Sequence, residues 1–149
     1  MRPYLRLCIP LLGILPRACS DSTASQMANL QGAWLVDQTW SGDSLSCTFI
    51  AESLFVTQTD TVINGQVRGG TGSCVVDGVP SGQLGQATSP ISQGIVKGNA
   101  VTFDVTQQLH YEGSVAGGHA SGTLTGAVPW GPPANKTIAL TGSWTAVRP

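Results

Sequence analysis

Short runs of alternating apolar and polar residues recur from Gly32 to the C-terminus, with turn-forming residues between them. Alternation with a period of two is typical of β-strands that bury one face, and no segment has the period of an amphipathic helix. The pattern predicts eight or nine strands, because the weakly patterned segment 79–88 is either a short strand or a loop. The predicted strands are residues 33–40, 47–59, 62–74, 79–88, 91–97, 100–107, 109–116, 119–128 and 137–147.

Tight turns connect several of these strands. Gly98-Asn99 suits a two-residue hairpin because both residues tolerate positive φ, and Gly117-Gly118 separates a second pair of strands. Consecutive hairpins without a helical crossover place neighbouring strands side by side in an antiparallel meander. Closure into a barrel protects the edges of a meander, whereas a sandwich normally needs longer connections. The sequence therefore predicts an all-β fold, a single up-and-down antiparallel β-barrel of about eight strands, with a β-sandwich as the alternative.

Cys47 and Cys74 lie on the two strands of one predicted hairpin. If Asp60 and Thr61 form its turn, the pairing continues outward until the two cysteines stand directly opposite each other. We therefore expect a Cys47–Cys74 disulfide rather than a metal site, since no Cys-x-x-Cys and no nearby His accompany them. The same register leaves the cysteines on one face and gathers on the other Ile50, Leu54, Val56, Ile63 and Val67.

The composition agrees with a folded β-protein. Only 10% of the 149 residues are charged and 19 are Gly, a balance typical of short strands joined by tight turns. The four Trp supply large apolar surfaces, which argues against disorder. A chain of this length is long enough to form one domain with its own core.

The N-terminal residues are typical of an export signal. Arg2 and Arg6 precede the apolar run 7–15, which is too short to span a bilayer. The segment that ends in Ala18-Cys19 resembles a bacterial lipoprotein signal, in which the Cys is lipidated and becomes the new N-terminus. Cleavage by an ordinary signal peptidase in the following Ser- and Ala-containing segment is the alternative.

These features predict three parts and a compartment: a signal peptide in residues 1–18, a flexible tether in 19–29 and the barrel domain in 30–149. We expect the protein to be exported to the bacterial periplasm or anchored at the outer membrane through Cys19. Beyond Cys19 there are four basic and eight acidic residues, a net charge of −4. An acidic, thinly charged domain has no surface for nucleic acid, and we expect membrane contact only through the lipid anchor.

The two ends of the predicted barrel resemble a known group of proteins. Gly32-Ala33-Trp34 resembles the Gly-x-Trp signature of lipocalins and related calycin barrels, and the segment 142–148 resembles their last strand. The middle lipocalin motif and the avidin pattern of tryptophans are missing, so biotin is not an expected ligand. The resemblance implies a calycin-like barrel in which Trp34 and Trp144 are structural and Arg148 covers the face of Trp34.

Three titratable residues come closest to a catalytic group. Because side chains alternate, His110 and Glu112 lie opposite Leu109 and Tyr111, and Asp104 lies opposite its own apolar neighbours. This places all three outside, as a solvated cross-strand patch. The alternative, an acid–base pair in a barrel enzyme, needs an inward-facing carboxylate, which the alternation opposes. We expect no enzyme, no metal and no cofactor.

The remaining hypotheses concern binding. The first is a lipid-anchored, non-catalytic barrel that binds a small hydrophobic or amphiphilic ligand, with Trp130, Tyr111 and Phe103 as candidate ligand-binding residues. The proline-rich loop 129–133 marks the mouth, where Trp130 either plugs the barrel end or borders the ligand. The alternative is a structural or interaction lipoprotein whose barrel is filled by its own side chains. The sequence predicts no oligomeric state.

Overall fold

The computed structural model describes residues 27–84, 88–106, 108–130 and 136–149. These residues include no helix that is long and apolar enough to cross a membrane. The signal peptide, Cys19 and residues 20–26 of the tether lie outside the described residues. The strands are β1 (Gly32–Gly42), β2 (Leu45–Thr59), β3 (Val62–Arg68), β4 (Thr71–Val76), β5 (Val79–Leu84), β6 (Thr88–Lys97), β7 (Ala100–Val105), β8 (Leu109–Ala116), β9 (His119–Trp130) and β10 (Lys136–Val147).

Eight of these strands form a closed antiparallel barrel. The order around it is β1, β2, β3, β6, β7, β8, β9 and β10, and β10 pairs with β1 to close it. In the closing pair, Leu35 lies opposite Val147 and Ser41 lies opposite Thr141. The predicted up-and-down barrel of about eight strands is therefore confirmed, and the sandwich alternative is wrong.

The strands β4 and β5 form a hairpin that extends the barrel wall. β4 pairs with β2 in the same register as β3 does. The predicted strand 62–74 therefore consists of two strands, β3 and β4, separated by Gly69 and Gly70. β5 pairs with β4 from Val76↔Val79 to Gly72↔Leu84. The weakly patterned segment 79–88 therefore contains a strand.

The two ends of the barrel differ. Residue 27, the C-terminus and the turns at 60–61, 98–99 and 117–118 lie at one end, which we call the terminal end. The turns at 43–44 and 77–78 lie at the opposite end together with the β4–β5 hairpin, and we call this the extension end.

A bulge in β2 reverses the inward and outward alternation of the side chains on this strand. Ala51 has a φ of 54°, and the pairing of β2 with β1 shifts register beside it. As a result Cys47 and Leu54 both face the interior, while Ile50 is 51% exposed. The expectations that the cysteines lie on the face opposite Leu54, and that Ile50 joins the apolar face, are therefore wrong. The predicted register is right, because the break between β3 and β4 matches the bulge.

The disulfide joins β2 to β4 at the extension end. Cys47 and Cys74 are paired in register with their Cα atoms 4.1 Å apart, as predicted. Both cysteines are buried in a small second core with Leu45, Ile138 and Leu140. This core packs the first residues of β10 against β2 and β4.

Aromatic rings fill the middle of the main core. Phe103 and Tyr111 stack with ring centroids 4.8 Å apart, and Trp144 meets both rings at steep angles. Trp34 is 1% exposed and lies nearer the terminal end. Each of these buried rings contributes about 2 kcal/mol or more to folding.

The residues before β1 close the terminal end. Leu30 is buried, its N–H donates to Gln58 Oε1 at 2.7 Å, and its carbonyl accepts from Trp34 Nε1 at 2.9 Å. The Ala28 N–H donates to the Gly98 carbonyl at 2.8 Å. Ala28, which lies in the tether predicted from the sequence, is thus hydrogen-bonded to the barrel.

Arg148 lies over the indole of Trp34, the contact that the calycin resemblance implies. Its guanidinium carbon is 4.8 Å from the ring centroid, and its Nη2 donates to the carbonyls of Asn29 and Gln31. The contact ties the end of the last strand to the segment that enters the first.

Arg148→Ala is expected to lower the free energy of unfolding by about 1 to 2 kcal/mol, because it removes a cation–π contact and charged hydrogen bonds. Urea unfolding followed by tryptophan fluorescence measures the loss. Arg68→Ala is the control, since the Arg68 guanidinium lies 5.1 Å from the exposed Phe55 ring. Equal losses in the two variants would contradict a closing role for Arg148.

Candidate functional site

A cavity of about 160 Å³ lies inside the barrel between the aromatic core and the extension end. Half of its lining residues are apolar or aromatic: Trp40, Phe49, Val67, Val105, Leu109 and Tyr111. The cavity reaches the surface where the half-buried Gly69 and Gly70 and the exposed Thr106 border it. A small molecule can therefore be held inside the barrel at this position.

Three polar side chains form a hydrogen-bonded chain along the cavity. The Tyr111 hydroxyl donates to Gln38 Oε1 at 2.6 Å, and Gln38 Nε2 donates to Glu52 Oε2 at 2.5 Å. Apart from the Tyr111 hydroxyl, Gln38 and Glu52, 8% and 5% exposed, are the only buried polar or charged residues in the described part of the chain. Burying polar groups is costly unless they are paired, so the chain of bonds offsets part of this cost.

The protonation of this chain is set by burial. Removal of the Glu52 carboxyl from water and, to a smaller extent, the nearby charge of Asp37 raise its pKa to about 7, against the hydrogen bond from Gln38. Burial, followed by the nearby Glu52 charge, raises the pKa of the Tyr111 phenol. Near neutral pH the phenol is therefore a neutral donor, and Glu52 gains or loses its proton in response to small changes in its surroundings.

The bulge in β2 positions Glu52. The backbone of the bulge is held by a hydrogen bond from the Ala51 N–H to Asp37 Oδ1 at 2.8 Å. Gly70 crosses beside it so closely that an added Cβ would lie 2.1 Å from the Ile50 carbonyl oxygen. Because Gly70 has no side chain, the segment between β3 and β4 can lie directly against the bulge. Glu52, which follows the bulge, faces the interior as Leu54 does.

Trp40 borders the cavity beside Phe49, with their rings stacked at 5.3 Å and nearly parallel. Its indole Nε1 is buried and has no hydrogen-bond acceptor among the residues that the structure describes. A buried donor without an acceptor is costly, so this N–H lowers the stability of the fold.

Of the candidate ligand-binding residues, Tyr111 lines the cavity and Phe103 lies behind it. Phe103 is buried in the core and stacks on the Tyr111 ring, outside the cavity lining. Glu52 and Gln38 are the residues that the sequence analysis missed. The alternation did carry a signal, because Glu52 shares its face with Leu54 and Val56. The sequence analysis considered only Asp104, His110 and Glu112 as candidate ionisable groups, so it overlooked the inward-facing carboxyl of Glu52.

The predicted mouth at residues 129–133 is partly strand. Pro129 pairs with Thr137, and Trp130 with Lys136, so both belong to β9 and not to a loop; residues 131–133 lie outside the described residues. Proline is tolerated here because β8 begins opposite Gly126, which leaves β9 with one neighbouring strand, β10, beyond that point. The role of the Trp130 side chain stays a prediction.

Asp104, His110 and Glu112 form a cluster on the outer face, as the alternation predicts. His110 Nδ1 lies 2.6 Å from Asp104 Oδ1, and its Nε2 lies 3.2 Å from Glu112 Oε1. The hydrogen bond to Asp104 is the main cause that raises the pKa of His110. The His110 and Glu112 side chains are 46% and 65% exposed, so the cluster has the solvated setting of a surface patch.

No protein-family model matches the chain, and no curated protein or solved structure matches it either.

Proposed function

We propose that this protein is a binding barrel that holds a small amphiphilic molecule in the cavity beside Glu52. The observation that carries the proposal is the cavity itself, which combines aromatic walls with a buried polar chain. Ligand sites in proteins are typically concave and mostly apolar, with a few polar groups that orient the ligand.

The size of the cavity supports a small ligand. A cavity of about 150 Å³ in a protein core is enough to hold benzene. The space of about 160 Å³ here therefore suits one ring or a short branched chain with a polar end. The polar end is expected at Glu52 and Gln38, and the apolar part against Val67, Val105 and Leu109.

The polar chain favours binding over catalysis. General acid–base chemistry uses groups whose pKa values lie near the working pH. Glu52 meets this condition, whereas the raised pKa of the Tyr111 phenol keeps its proton in place. Gln38, which joins them, does not titrate. The cavity thus contains one group that titrates near neutral pH and a chain of oriented hydrogen bonds, and these features suit the recognition of a ligand.

We also propose that the barrel is calycin-like and works outside the cytoplasm on a lipid tether at Cys19. The closed meander, with Arg148 over Trp34, supports the first part, and the buried Cys47–Cys74 disulfide is compatible with an oxidising compartment. Ala28 is fixed at the terminal end, so a tether would leave the cavity half of the barrel facing away from the membrane.

Native mass spectrometry of the protein purified from bacterial envelopes tests the binding function. We expect a retained small molecule on the wild type and none on Val67→Phe, because the added ring occupies the cavity. Val75→Phe is the matched control, since Val75 is 39% exposed on the extension hairpin, and it should retain the molecule.

The filled aromatic core in the terminal half favours one alternative, a structural barrel that acts through its surface. If neither the wild type nor Val75→Phe carries a molecule and Val67→Phe is more stable than the wild type, the cavity is a packing defect. That result would replace the binding function with the structural one.

A further inference from the structure

We infer that the ligand carries a protonated amine, which pairs with the Glu52 carboxylate beside the rings of Trp40 and Tyr111. This inference rests on the proposed binding function and names the chemistry of its ligand. It comes from the charged groups and aromatic rings around the cavity.

No basic side chain that the structure describes pairs with the buried Glu52 carboxyl. Glutamate is rarely this buried without a charged partner. Gln38 donates to one of its oxygens, Oε2, from a neutral side-chain amide. Among the described side chains, the basic groups lie elsewhere: Arg68 is over the exposed Phe55 ring, Arg148 is over Trp34, and Lys97 is exposed. The missing positive charge is the one that a ligand would bring.

The other titratable groups near Glu52 also favour a cation. Asp37 on β1 adds negative charge, and Tyr111 on β8 is neutral. The lining residues from β3, β6 and β7 carry no ionisable side chain. An anionic ligand would meet the Glu52 carboxyl, with the Asp37 charge nearby, and no compensating cation among the described lining residues, so its burial would be strongly unfavourable.

The rings in the wall suit the same ligand class. Ammonium groups are attracted to the faces of Trp and Tyr rings, and the attraction is larger where water is excluded. Trp40 and Tyr111 both border the cavity with Glu52.

Binding of an amine displaces the carboxyl proton. Below about pH 7 Glu52 holds its proton, so the protonated amine binds, the carboxyl O–H bond breaks, and one proton passes to the buffer. Above that pH the carboxylate is already formed and no proton is released. The affinity for an amine should therefore fall as the pH is lowered, whereas the affinity for a neutral analogue of the same shape should not.

Isothermal titration calorimetry with benzylamine and benzyl alcohol tests the inference on the whole domain. At pH 8 we expect benzylamine to bind at least tenfold more tightly than benzyl alcohol. Between pH 8 and pH 6 its affinity should drop about tenfold, with close to one proton released at pH 6, as measured in two buffers of different ionisation enthalpy. Benzyl alcohol should show no such loss.

Glu52→Gln and Glu112→Gln form the variant pair, because Glu112 is an exposed carboxylate on the outer face. Glu52→Gln should weaken benzylamine binding at least tenfold at pH 8 and leave benzyl alcohol binding within twofold, while Glu112→Gln changes neither. If benzyl alcohol binds and Glu52→Gln leaves the benzylamine affinity unchanged, the amine inference is overturned and cavity binding stands. If neither probe binds and no molecule is retained from envelopes, both are overturned.

Discussion

Glu52→Gln is expected to raise the free energy of unfolding by about 3 kcal/mol at pH 8 and by little at pH 4. Burial raises the pKa of Glu52 from 4.5 to about 7 in the folded state. The stability associated with this carboxyl is fully present below pH 4.5 and is lost as the pH rises through 7, because the unfolded chain ionises first. Glutamine stays neutral and keeps an acceptor for Gln38 Nε2, so the variant escapes this loss.

Urea unfolding of both proteins at pH 4, 6 and 8 measures the effect. The wild type should lose stability across this range relative to Glu52→Gln, with the curves diverging most between pH 5 and 7. Glu112→Gln serves as the control, because its side chain is 65% exposed and it should follow the wild type. A parallel pH dependence in the wild type and Glu52→Gln would show that Glu52 is ionised as easily as in water.

The barrel was predictable because its signals are local. Two-residue turns such as Gly98-Asn99 and Asp60-Thr61 determine strand pairing, and a period of two indicates one buried face. The opposition of Cys47 and Cys74 follows from the turn alone, and the structure has the same pairing. Antiparallel neighbours in sequence order then leave closure as the way to protect the edges.

The interior was less predictable because a single bulge reverses the alternation. The positive φ of Ala51 has no strong sequence signature, since alanine rarely adopts this conformation. The bulge exposes Ile50 and turns Cys47 inward, against the alternation counted from Leu54. An extrapolated pattern is therefore reliable only as far as the next irregularity in the strand.

Glu52 was missed for a different reason. It lies on the same side of the bulge as Leu54 and Val56, so the alternation already places it inside. Gln38 likewise shares its face with Trp34 and Val36. A polar residue on an otherwise apolar face is costly to bury, and both Gln38 and Glu52 belong to the candidate site.

Replacement of both cysteines by alanine is expected to lower the free energy of unfolding by about 3 to 4 kcal/mol. The bridge spans 27 residues and so restricts the unfolded chain, and the two buried cysteines help pack the second core at the extension end. The single variants Cys47→Ala and Cys74→Ala should each lose nearly as much as the double variant, because either change removes the same bond. Urea unfolding of the three variants measures this, with and without reductant, which should weaken the wild type and leave the double variant unchanged. If the single losses instead add up to the double loss, or if reductant has no effect on the wild type, the cysteines stabilise the fold only as separate buried side chains.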